Sequence, residues 1–188
     1  MKILKPKNFI NFQIGKDKMF IGDGYRSLLL SDVATNYPYF KTTLNIWHFQ
    51  YSAWYSWLYD VSTANGIKKD FKNKFGTFHY LSWNANKNLN ISAFENVIWQ
   101  GTDTSRTRGI DPNYLNPVIF FRPIEYSLGS SDNSMLGFNI SYKIAKRFKL
   151  YGQLVLDEVY LNEIKSQTGW WATTQGFQVG GKYVDAFG

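Results

Sequence analysis

Gln50-Tyr51-Ser52-Ala53-Trp54-Tyr55-Ser56-Trp57-Leu58-Tyr59 is the stretch that decides how this chain is read. Every second residue from Tyr51 to Tyr59 is Tyr, Ala, Tyr, Trp and Tyr, with Gln50, Ser52 and Ser56 set between them. Successive side chains of a strand point to opposite sides, so one side here is almost wholly aromatic. A soluble sheet covers such a side with Val, Ile and Leu from a packed layer. A side of amphipathic Tyr and Trp rings suits a membrane–water boundary instead. The stripe is therefore expected on the lipid side of a barrel wall, with Gln50, Ser52 and Ser56 toward a lumen. Trp54 falls on the polar side and has no place in that scheme.

The same rhythm extends in both directions. Strands are expected at about 8–15, 39–49, 50–61, 75–86, 89–100, 135–145, 147–160 and 174–185. They exceed the roughly 5–6 residues usual in soluble domains and match the roughly 9–11 that cross a bilayer at a tilt. Asn86-Lys87-Asn88 and Ala145-Lys146-Arg147 read as short hairpin connections, while the Lys-rich stretch from Asn65-Gly66 to Lys74 reads as a long exposed loop. Short turns at one end and long loops at the other is the layout of a membrane barrel. Phe138, Ile140, Tyr142 and Ile144 alternate with Asn139, Ser141 and Lys143, and Phe177, Val179 and Tyr183 with Gln178 and Lys182. Between Leu89 and Gln100 the polar side takes Asn90, Ser92 and Asn96, which puts Glu95 on the apolar side. Either a bulge shifts the register there or Glu95 lies near a rim.

Residues 105–133 break the rhythm. Asp111-Pro112 and Asn116-Pro117 are helix-start signals, and Val118 to Leu128 follows as a short helix or, given Pro123, as two short turns. The fold expected is all-β: a partial antiparallel up-and-down transmembrane-type barrel of roughly 8–10 strands, with a short helical insertion near 111–129.

Composition narrows the chemistry. The 188 residues form a single domain with a sizeable core, and 19% are aromatic, with 13 Tyr and 7 Trp. The absence of cysteine excludes disulfides, thiolate nucleophiles and Cys-bound metal, and His48 and His79 alone do not make a His-rich metal site. No metal or other cofactor is expected. The formal charge of +7 favours anions such as nucleic acid, acidic glycans or lipid phosphates. Mean hydropathy is −0.33, and no run approaches the roughly 20 apolar residues of a membrane helix, a test that a β-barrel escapes. The N-terminal Met1-Lys2-Ile3-Leu4-Lys5-Pro6-Lys7 lacks the apolar stretch of a signal peptide. The chain is accordingly expected to be an internal piece of a longer barrel.

The most distinctive run is Ile14-Gly15-Lys16-Asp17-Lys18-Met19-Phe20-Ile21-Gly22-Asp23-Gly24-Tyr25-Arg26-Ser27-Leu28-Leu29-Leu30-Ser31-Asp32. It resembles the segment of the Wzi-like capsule-assembly family that joins a strand ending in Gly to a G-x-G turn and S-L-x-L-S. Tyr114-Leu115-Asn116-Pro117-Val118-Ile119-Phe120, Leu128-Gly129-Ser130-Ser131-Asp132-Asn133 and Leu150-Tyr151-Gly152-Gln153-Leu154-Val155-Leu156-Asp157-Glu158 continue the resemblance, as do Gly169-Trp170-Trp171 and Gly180-Gly181-Lys182-Tyr183. They are most similar to a RemB-like branch from gliding Gram-negative bacteria. The resemblance implies an outer-membrane barrel of about eighteen strands; this chain has room for roughly half of them. It also implies surface lectins that hold capsular polysaccharide, or a role in surface motility. Outer-membrane lipid and lipopolysaccharide then become the expected partners, with capsular or other acidic polysaccharide beside them and no nucleic acid.

Individual residues carry competing readings. Gly22-Asp23-Gly24 lacks the third Gly, the following helix and the Lys-Ser/Thr pair of a phosphate cradle, so a conformational turn is expected. Asp157, Glu158 and Glu95 invite a glycosidase reading, but adjacent strand residues point to opposite faces, and neither His adjoins a nucleophile elbow. No catalytic residue is therefore assigned. Arg26, Asp32, Glu95, Arg122, Glu125, Asp132 and Asp157 are candidates for a polar network across the lumen. Trp170 and Trp171 either stack on sugar rings or belong to an aromatic girdle. Lys68, Lys69, Lys72 and Lys74 either bind acidic polysaccharide or phosphate, or form a solvated loop. The competing readings for the whole chain are a soluble, aromatic-rich β-barrel that binds carbohydrate and a surface glycoside hydrolase.

Overall fold

The computed structural model describes residues 9–60, 71–102, 108–117, 132–144, 147–157 and 174–184. They form one antiparallel sheet of eight strands: β1 (Ile10–Asp17), β2 (Tyr37–Ile46), β3 (Phe49–Asp60), β4 (Lys72–Asn84), β5 (Leu89–Gln100), β6 (Asn133–Lys143), β7 (Phe148–Asp157) and β8 (Thr174–Tyr183). Each strand pairs only with its neighbours in sequence, from β1 through to β8, so the architecture is a partial up-and-down barrel with β1 and β8 at its two edges. Every expected strand is present, and each boundary lies within three residues of its expected place. Among the described residues a 3-10 turn, Pro112–Leu115, follows Asp111, which accepts a hydrogen bond from the Asn113 backbone N–H as its cap, with Pro at the first position. The helix expected from Val118 to Leu128 lies outside the described residues.

Connections differ at the two ends. Two to four residues separate consecutive strands at 47–48, 85–88 and 144–147, and eleven or more at 18–36, 61–71, 101–132 and 158–173. Trp47 holds the turn at 47–48 with a φ of 51°, an uncommon conformation for a bulky side chain, and its ring meets His48 edge-on.

The sheet sorts its side chains by face. One face is overlaid by the β1–β2 connection and is called inner here. It carries Ser52, Ser56, Ser82, Ser92, Asn96, Asn139, Ser141 and Gln153, all buried. The outer face carries Phe12, Ile14, Phe177 and Val179, which are 67%, 83%, 83% and 79% exposed. Buried polar groups thus share the inner face with the buried rings of Trp54, Phe78 and Phe94, and the outer face carries exposed apolar groups.

Trp54 finds its place in this arrangement. It is fully buried on the inner face, stacked on Phe78 at 5.1 Å and tilted against Phe94 at 6.3 Å. Met19, Ile21 and Leu29 of the connection close over these rings and over Tyr37 and Tyr39. The polar side of β3 thus needs an aromatic residue where an apolar plug sits on it. Gly137 on β6 makes room for the plug, since a Cβ there would lie 2.4 Å from Leu29 Cδ2.

The plug turns at Gly22-Asp23-Gly24, as the turn reading expects. Gly22 has a φ of +106°, and a Cβ on it would lie 2.0 Å from Gln153 Nε2. Gly22→Ala is therefore expected to destabilise the fold by about 1–3 kcal/mol through backbone strain. Chemical unfolding measures it, and an unchanged midpoint would remove the turn from the structural account.

Candidate functional site: the mouth of the partial barrel

At the end from which the long connections leave, the sheet and plug enclose an open cavity of about 950 Å3. Leu29 and Tyr37 form its floor with Phe78, Asn96 and Gln100 reach it from the walls, and Lys74, Arg108, Asp132 and Asp157 bring charge to its margin. Its lining combines apolar and aromatic surface with a few amides and paired charges, the make-up of a general ligand cleft.

Three of the residues singled out in the sequence converge here. Lys74 Nζ lies 3.0 Å from Asp60 Oδ2. Asp132 accepts two hydrogen bonds from Arg108 Nη1, at 2.7 and 2.8 Å, and one from the Tyr114 hydroxyl at 2.7 Å. Asp157 contributes a buried Oδ1 with no hydrogen-bond partner among the described residues. Lys72 is exposed on β4, opposite Asp60 in register. Lys68, Lys69, Arg122, Glu125, Trp170 and Trp171 lie outside the described residues.

Arg108 organises this margin. Its Nη2 donates to Asp111 Oδ2 at 2.9 Å, so one guanidinium ties two carboxylates together, and it lies 5.9 Å from the Tyr114 ring centre. Burial disfavours its charge, but Asp132 and Asp111 outweigh that and raise its pKa further. Burial likewise works against the Asp111 carboxylate, yet Arg108 and the Asn113 amide hold it below the ordinary aspartate range.

The lumen network is built mainly from residues not singled out above. Asp23 in the plug turn pairs with Lys149 of β7 and accepts from Asn139 Nδ2 at 2.8 Å, while its own N–H donates to Asn139 Oδ1 at 3.0 Å. Gln153 Nε2 donates to Ser27 Oγ at 3.0 Å and Asn139 Oδ1 at 3.1 Å, and Gln153 Oε1 accepts from the Leu28 N–H at 3.1 Å. Arg26 and Asp32, expected in such a network, are exposed on the same connection instead. The turn that buries Ser27 and half-buries Asp23 leaves Arg26 on its solvent side. The readable signal was parity: Asn139 and Gln153 face each other in register on the polar side of β6 and β7.

Glu95 departs from its expected place for a clear reason. The β4–β5 and β5–β6 registers run unbroken past it, so there is no bulge, and it lies mid-strand rather than at a rim. It faces outward, 3.9 Å from His79 Nδ1, and both side chains are buried. A strap makes this possible. Residues 108–117 cross the outer face: Tyr114 packs on Val97 and Trp99, the Tyr55 hydroxyl donates to Leu115 O at 2.7 Å, and the Tyr51 hydroxyl donates to Pro117 O. Trp99 Nε1 donates to Gly109 O at 3.0 Å. Part of the aromatic stripe therefore holds protein, while Trp57 and Tyr59 remain exposed. Glu95 and Asp157 occupy opposite faces of the sheet and cannot flank one glycosidic bond as an acid–base pair.

These carboxylates set a pH dependence. Burial opposes the Asp23 charge, but Lys149 and Asn139 outweigh it and lower its pKa, as Arg108 does for Asp111. A carboxyl whose folded pKa is depressed adds stability above its unfolded pKa and loses it as pH falls through the folded value. The thermal midpoint is therefore expected to fall as pH drops from about 4 toward 2. The double variant Asp23→Asn, Asp111→Asn should start lower and flatten that slope; a slope unchanged by it would contradict the assignment.

Among the described residues no helix is long and apolar enough to cross a membrane, and no three His, Asp or Glu residues converge to hold a metal ion. Compared with protein-family models, with curated proteins and with solved structures, the chain finds no match.

Proposed function

We propose that the chain is a non-catalytic wall segment of an outer-membrane β-barrel of the Wzi-like kind. Its mouth helps to attach or organise acidic surface polysaccharide, or serves surface gliding. The observation that carries the membrane reading is the inverted polarity of the sheet. Serine, asparagine and glutamine are buried on the inner face, while Phe138, Ile140, Leu154, Phe177 and Val179, neighbours in register across β6 to β8, are exposed on the outer face of strands of 10 or 11 residues. A water-facing surface with so many contiguous apolar groups would drive association. The polysaccharide reading rests on the resemblance of the Ile14–Asp32 run and is consistent with the amide and aromatic lining of the mouth.

Size-exclusion chromatography with and without nonionic detergent tests the first part. The chain is expected to be monodisperse only with detergent and to insert into phospholipid vesicles. A monomer stable in plain buffer would sink the membrane reading and favour a soluble carbohydrate-binding barrel. Affinity electrophoresis through gels containing an acidic polysaccharide tests the second part, with retardation expected; unaltered mobility would remove the attachment role.

A further inference from the structure

The opposite end of the inner face holds a second recess, of about 260 Å3, bounded by the turn between β4 and β5 and by the plug turn at Gly22 and Asp23. Its lining is almost entirely polar. The ionisable groups are Lys87, Lys143, Lys149 and Asp23, three positive against one negative.

The register concentrates that charge. Lys143 of β6 and Lys149 of β7 are direct cross-strand partners, a placement in which like charges repel. Asp23 compensates Lys149 by pairing with it. Lys143 and Lys87, both exposed, have no carboxylate partner among the described residues. Beside them Asn90 Nδ2 donates to Ser82 Oγ at 2.8 Å and to Asn84 Oδ1 at 3.0 Å. Those bonds orient Asn84 so that its amide N–H groups remain for a ligand.

From this geometry we infer a binding site for a small oxyanion at the short-turn end, of the kind borne by a phosphorylated or uronic-acid sugar. Lys87 and Lys143 supply charge-assisted hydrogen bonds to the anionic oxygens, and Asn84 recognises a neighbouring oxygen. Lys149, already held by Asp23, forms the positive back wall. Phosphate and carboxylate share this chemistry, and a recess of this size takes one sugar ring rather than a chain of them. The inference concerns the end opposite the mouth and does not depend on whether the sheet sits in a membrane.

Calorimetric titration of the full chain in nonionic detergent with inorganic phosphate, glucuronate and glucose tests it. At least one of the two anions should bind, glucose should not, and the tighter anion identifies the group the site prefers. Lys87→Gln and Lys143→Gln should each weaken binding by about tenfold. Lys87→Arg with Lys143→Arg should keep most of the affinity, and Lys16→Gln, on the exposed β1 edge, should change nothing. The inference is overturned if neither anion binds the unaltered chain, if glucose binds as well as glucuronate, or if both Lys→Gln variants, folded by circular dichroism, bind as the unaltered chain does.

Discussion

Trp54→Ala is expected to cost about 3–5 kcal/mol of stability, the usual range for truncating a large aromatic residue in a packed core. The side chain is fully buried between the sheet and the plug, stacked on Phe78 and in contact with Phe94. Removing it takes away the surface on which Met19, Ile21 and Leu29 rest. Trp57→Ala is the matching control: three residues away on the opposite face, Trp57 is 39% exposed and supports no plug. Urea unfolding of both variants under the same conditions should separate them clearly. Equal losses would mean that the inner face of β3 is no better packed than the outer one.

Asp132→Ala is expected to cost about 2–5 kcal/mol, because it leaves the Arg108 guanidinium buried with only part of its compensation. The Arg108 and Asp132 side chains are 7% and 6% exposed, and Asp132 also accepts the Tyr114 hydroxyl bond. Asp111 remains on Nη2, so the charge is not wholly stranded. The damage should spread along the strap, since Tyr114 anchors it over Val97 and Trp99. Limited proteolysis within 108–117 should therefore accelerate alongside the loss in unfolding free energy. A variant as stable as the parent, with an unaltered cleavage rate, would show that the strap is held by its apolar contacts alone.

The sheet was legible in the sequence because period-2 alternation runs through segments long enough to dominate local ambiguity. It placed the eight strands now seen among the described residues within a range of roughly 8–10 and, through β6 and β8, showed which face is which. The plug was not legible. Met19, Ile21 and Leu29 follow neither a strand nor a helix period, since a connection draped over a sheet takes its spacing from the surface beneath. Glu95 shows a different limit. Its parity was read correctly, but a carboxylate on an apolar face looks like an error until one sees the strap that shelters it and His79. That strap is assembled by Arg108, Asp111 and Asp132, whose spacing in sequence gives no sign of one guanidinium shared by two carboxylates. Arg26 and Asp32 failed as network candidates for a related reason: charge marks a segment, and only backbone direction decides which charge turns inward.

The plug also orders events in time. Every strand pairs with its neighbour in sequence, so the ladder can grow one hairpin after another as the chain becomes available. The plug cannot follow that schedule. Asp23 must wait for Asn139, 116 residues later, and Ser27 for Gln153, 126 residues later. Until β6 and β7 arrive, the apolar foot of the 18–36 connection has no completed seat. Its docking is thus a completion signal: a seated plug certifies that the six strands from β2 to β7 are already in register.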